Sequence, residues 1–164
     1  MNAAVQNMVI SLGAMQVARK IPFDDPIVLN YVRIGYVFSQ LLALGTYFYL
    51  SRVIKQKNDK TVLRYAEPPS PLDGEKVVVT TIRDYDLAET KKLLRSVYMG
   101  VAMMGVMHIY FHFTQPLFIQ GLMGLKNIYD APLVSIHLLG KPAVDSLARP
   151  FKVASMLGGK RLSI

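Results

Sequence analysis

Apolar residues in this chain come in runs too long and too continuous for one face of a solvated helix. Residues 96–125 are 30 positions without an Asp, Glu, Lys or Arg. A helix in water needs a polar face, so this run predicts a segment lying in a bilayer. Two weaker runs precede it, Met1 to Ala18 and Ile34 to Ser51. The expected fold is mainly α, a polytopic membrane protein with about three membrane helices. A small cytosolic two-strand element and helix complete it. Residues 1–51 would supply the first two membrane helices, and 52–95 a basic cytosolic linker, strand and helix. Residues 96–125 would form the third membrane segment, and 126–164 a strand and basic tail.

Local signals refine these boundaries. Asp24-Asp25-Pro26 is a helix start, with acids at the cap and proline in the first turn. Tyr31, Tyr36, Tyr47 and Tyr49 lie toward the two ends of the helix that follows, as interfacial aromatic residues do. Pro68, Pro69, Pro71 and Gly74 predict a linker. Lys76 to Ile82 is short and β-branched, and predicts a strand. Asp84 or Asp86 can cap the next helix, which meets no Gly or Pro before Gly100. Leu133 to Leu139 is a second strand candidate, able to pair with the first. Thirty helical residues reach roughly 45 Å, too short for two crossings of a core about 30 Å thick. The third segment is therefore one long tilted helix or a re-entrant hairpin broken near Pro116.

Composition adds charge to this picture. The chain has 164 residues, is 52% hydrophobic and carries a formal charge of +8. Such a charge suits anionic lipids or direct RNA contact, as with a ribosome, and equally an ordinary positive-inside bias. Lys and Arg number 3 in residues 19–33, 10 in residues 52–95 and 6 from Lys126 onward, which favours a cytosolic 52–95. No cysteine is present, so disulfides and thiolate metal sites are excluded. Arg19 and Lys20 follow the first apolar run rather than precede it, unlike a cleavable signal.

Several polar residues fall inside the apolar runs. Asn30, Arg33 and Gln40 share one helix face, as do His108, His112 and Gln115. They would either line a polar groove open to a client segment, or serve snorkelling and inter-helix hydrogen bonding. Two His at i and i+4 can bind zinc, but no acid or Cys lies nearby to complete a set, so no metal is expected. Met103 and Met107, with Met99 and Met104, make an adaptable apolar surface or simple packing. Lys55, Lys57, Lys60, Lys91, Lys92, Arg95, Arg149 and Lys152 are candidates for partner or lipid contact. No catalytic constellation or phosphate loop is visible, so neither enzyme activity nor a cofactor is expected.

Several stretches together resemble a known family. They include Tyr65-Ala66-Glu67-Pro68, Val79 to Leu87, Met103 to His108, Pro116-Leu117-Phe118, Ile136 to Ala143 and Arg149 to Lys152. The chain resembles the fungal family of third components of SRP-independent targeting, also named for inorganic phosphate transport at the endoplasmic reticulum. The resemblance runs over nearly the whole chain. It implies a multi-pass endoplasmic reticulum membrane protein that targets and inserts nascent membrane proteins. Its implied partners are the Sec translocon, the ribosome, other targeting-pathway components and nascent clients. Two other classes stay open, a phosphate or small-solute transporter and a non-catalytic translocon adaptor.

Overall fold

A computed structural model describes residues 3–67 and 71–151. Pro68 and Pro69 of the expected linker, and Lys152 of the basic tail, lie outside the described residues. The elements are helices α1 (Ala3–Lys20) and α2 (Pro26–Lys57), strands β1 (Val62–Glu67) and β2 (Lys76–Thr81), and helices α3 (Ile82–Gly105), α4 (Gln115–Asp130) and α5 (Pro132–His137). A π-helical turn, Val106–Tyr110, extends α3, and a 3-10 turn lies at Asp145–Leu147. The chain divides into two compact units: Met1–Phe48 with Lys92–Asp130, and Tyr49–Lys91 with Ala131–Ile164.

The first unit is all helical. Asp25 caps α2, its carboxylate accepting from the Ile27 amide at 2.9 Å. Small residues let helices approach closely: Ala14 and Ala18 of α1 are buried, and Ser11 Oγ donates to Met123 Sδ of α4 at 3.6 Å. Gly121 of α4 lies so close to α2 that a Cβ there would sit 3.5 Å from Tyr36 Cα. Tyr36, Met104 and Leu117 form the buried centre, flanked by Val32.

Two helical stretches among the described residues are long and apolar enough to cross a membrane, Pro26–Lys57 and Ile82–Tyr110. Only 11% and 6% of their most apolar windows are buried inside the chain. A soluble core helix would bury most of such a stretch, so these two are candidate membrane-spanning helices. The α1 helix does not reach that apolarity, because Asn7, Ser11 and Gln16 interrupt it. The expected third membrane segment is divided. Its first part continues α3 to Tyr110, the chain turns through residues 111–114, and α4 starts anew at Gln115 with Pro116 in its first turn.

The second unit holds an antiparallel hairpin, with Val62 opposite Thr81 and Glu67 opposite Lys76. This corrects the strand pairing expected from the sequence. Residues 133–139 are not a strand; Pro132 to His137 form helix α5, with the Leu138 and Leu139 amides closing on the Val134 carbonyl. Proline cannot donate to a ladder but suits the first helical turn. The hydrogen-bonding edge of β2 is instead taken by Val62–Glu67, a near neighbour in sequence that closes a shorter loop. The cap of α3 also differs from expectation. Thr81 Oγ1 accepts from the Asp84 amide at 3.2 Å, which leaves Asp86 free to turn inward. Tyr65 packs edge-on to Tyr85, which packs on Phe151, each at 5.5 Å between ring centroids. The Phe151 amide donates to Tyr85 Oη at 2.8 Å.

Candidate functional site

The polar residues of the first unit fall into three local groups. In the first, Arg33 Nε donates to His108 Nε2 at 2.9 Å, and Arg33 also donates to Asn30 Oδ1 at 3.3 Å. His108 Nδ1 stands 2.9 Å from the Phe113 carbonyl oxygen, which can only accept, so Nδ1 carries the proton. His108 thus links the outer face of α2 to the turn after the π-helical segment. The Phe113 amide donates back to the Met107 carbonyl at 3.0 Å, and His112 takes a left-handed conformation with φ of 57°.

That turn forms one wall of a polar cleft of about 590 Å³, which is the second group. His112, Thr114, Gln115 and Met107 line it opposite Pro22 to Asp24 of the loop before α2. Beside it lies a groove of about 440 Å³ between α2 and α4, lined by Val28, Val32, Gly35, Leu117, Phe118 and Leu122 among others. Its polar groups are the tyrosine hydroxyls, and Tyr36 Oη is buried without a hydrogen-bond partner. Ile21 lines both spaces, so the polar cleft and the apolar groove are neighbours.

Gln40 is the third group and stands apart. Its Nε2 donates to Ser39 Oγ at 3.3 Å and packs against Gly124. Met103 is exposed at 62% and is not among the residues lining the cleft, whereas Met107 is. Lys55, Lys57, Lys60, Lys91, Lys92 and Arg95 are exposed.

In the second unit, three basic residues from separated segments gather at one carboxylate, two of them directly and Lys57 through His137. Asp86 is 1% exposed at its side chain, and Arg149 grips it through two bonds of 2.7 Å. His137 Nε2 lies 2.8 Å from Asp86 Oδ2, and Lys57 Nζ lies 3.1 Å from His137 Nδ1. Lysine has only protons to offer, so Nδ1 accepts and Nε2 donates to the acid. Burying a carboxylate is costly unless it is paired and hydrogen-bonded, and here it is both. Nothing in the sequence marks Asp86 and His137 as site residues, and Arg149 and Lys57, candidates for partner or lipid contact, both join this cluster. Outside the apolar segments, hydrogen bonds from the Thr61 hydroxyl and amide hold the Asp59 carboxyl below the usual carboxylate range.

Among the described residues no group of three or more His, Cys, Asp or Glu is placed to hold a metal ion. His108 is committed to Arg33 and Phe113, while His112 lines the cleft.

Comparison with known proteins agrees with these features of sequence. The family described as "Phosphate transport (Pho88)" matches residues 1–163. SRP-independent targeting protein 3 of Saccharomyces cerevisiae is 44% identical over 161 residues, covering 97% of this chain and 86% of its own. Its homolog in Schizosaccharomyces pombe is 35% identical over 161 residues, covering 96% and 83%. An uncharacterized protein of Schizosaccharomyces pombe is 42% identical over 163 residues, covering 97% and 81%. No solved structure matches. With a match that spans all but its last residue and relatives aligned along most of their own length, this chain belongs to the Pho88 family.

Proposed function

We propose that this chain is a targeting and insertion factor for nascent membrane proteins at the endoplasmic reticulum membrane, a multi-pass protein working with the Sec translocon and ribosome. It acts without catalytic chemistry of its own. The names of its relatives support the pathway. The single observation that carries the mechanism is the adjacency of a polar cleft and an apolar groove, with Ile21 common to both. A client segment entering a bilayer must desolvate its polar flank, at several kcal/mol for each group left unpaired. The cleft formed by His112, Thr114, Gln115 and Asp24 receives that flank. The groove between α2 and α4 receives the apolar part.

Arg33 and His108 position the cleft wall through the Phe113 carbonyl. The test is insertion of a radiolabelled nascent membrane segment into proteoliposomes containing the purified chain. Arg33→Leu combined with His108→Leu should reduce insertion several-fold at equal protein incorporation. Wild-type insertion by that variant would reject the mechanism. The family description also names phosphate transport, and labelled phosphate uptake by the same proteoliposomes would favour that reading instead.

A further inference from the structure

Beside the Asp86 cluster lies a cleft of about 550 Å³ whose charges folding uses only in part. Four cationic side chains line it, Lys57, Lys60, Arg83 and Arg149, against two carboxylates, Asp59 and Asp86. Both acids are already engaged, Asp86 by Arg149 and His137, and Asp59 by Thr61. The cations are not equally spent. Arg83 Nε is buried and has no hydrogen-bond partner. Lys57 directs a proton to His137 Nδ1, which leaves the rest of its ammonium for another acceptor. Lys60 is exposed at the rim. Arg83 as a whole is half-buried and lines the cleft, so the terminal N–H groups of its guanidinium are the donors an anion there would meet.

Position along the chain narrows the choice of anion. Lys57 closes α2 and lies six residues beyond Ser51, where the apolar run ends. Six helical residues rise about 9 Å, and a headgroup layer is roughly 5–8 Å deep on each side of the core. Lys57 therefore sits at the outer edge of the headgroup layer once α2 crosses a membrane, within reach of a headgroup phosphate through its long side chain. Ile54 and Ile136 give the cleft an apolar wall for the glycerol backbone beside the charges. We propose that this cleft binds the phosphate of an anionic phospholipid headgroup, with Arg83 and Lys57 as its main donors and Lys60 at its mouth. The inference rests on α2 spanning the bilayer, not on insertion activity.

The test is titration of the purified full chain, in a neutral detergent, with dihexanoyl phosphatidic acid, read by native mass spectrometry. Arg83→Gln with Lys60→Gln should weaken binding by about tenfold or more, the loss expected for removing charge-assisted donors. Lys60→Gln alone changes only an exposed side chain, so it keeps the fold and should still weaken binding by about twofold to threefold. Arg19→Gln with Lys20→Gln removes the same charge elsewhere and should leave binding within about twofold. Equal losses in both double variants would reduce the effect to surface charge and overturn the site. Displacement of the lipid by equimolar inorganic phosphate would assign the cleft to the free anion. Displacement by an equimolar short RNA, lost in the Arg83 and Lys60 variant, would assign it to nucleic acid. Either result overturns the lipid assignment.

Discussion

Replacing Arg149 by Leu should strand the Asp86 carboxylate. That side chain is 1% exposed, and Arg149 supplies two of its three side-chain hydrogen bonds, both at 2.7 Å. Only His137 Nε2 would remain. Removing one partner of a buried ion pair costs about 3–5 kcal/mol, because the survivor stays desolvated and uncompensated. Arg149 is itself 11% exposed, which places the expected loss near the lower end, about 3 kcal/mol. A change of that size alters a local opening equilibrium by roughly 150-fold. The assay is amide hydrogen exchange of the full chain in phosphatidylcholine nanodiscs. The informative amides are Ile82 and Arg83, which donate to the Thr61 and Asp59 carbonyls at 2.9 Å and report docking of the first turn of α3. Arg149→Lys keeps the charge but loses the planar fork, and should cost about half as much. Removing both charges, Asp86→Leu with Arg149→Met, should restore most of the protection, since no buried charge is left alone. Protection of Ile82 and Arg83 within about fivefold of wild type in Arg149→Leu would refute the reasoning. So would a double variant as damaged as the single one.

Two further outcomes follow from local geometry. Gly121→Ala places its Cβ at ordinary contact distance from Tyr36 and should be nearly neutral, whereas Gly121→Leu must push α4 from α2 at a cost of about 1–3 kcal/mol; thermal unfolding of the two variants, compared in one detergent, checks the difference. Asp59 has a lowered folded pKa, so its bond to Thr61 contributes fully above the usual carboxylate range and is lost as pH falls through that lowered value; the Thr61 amide shift should move over that acidic window and stay flat in Asp59→Asn.

The sequence shows clearly what depends on local pattern. The start of α2 is legible because Asp25 and Pro26 act within one turn. The strand at Lys76–Thr81 is legible because its residues are β-branched, and the helix after it because nothing interrupts it. Residues 133–139 mislead for the same reason: a short β-branched run carries no period that separates strand from helix, and Pro132 decides it. Asp86, His137 and Arg149 all lie in the stretches that carry the family resemblance. Their shared role is invisible there, because 51 and 63 residues separate the two basic partners from the acid.

Sequence alone marked out the candidate membrane spans, since long apolar runs are read directly along the chain. It determined the excess of positive charge and which polar residues sit within apolar runs. Only the tertiary structure decided which of them meet. Arg33 reaches His108, while Gln40 turns to Ser39 instead. Lys57 serves a buried network as well as an open cleft. Hydrophobicity is a sum over neighbours along the chain and can be read from it. Hydrogen bonds and ion pairs act over about 3 Å between distant segments, and exist only once folding has brought those segments together.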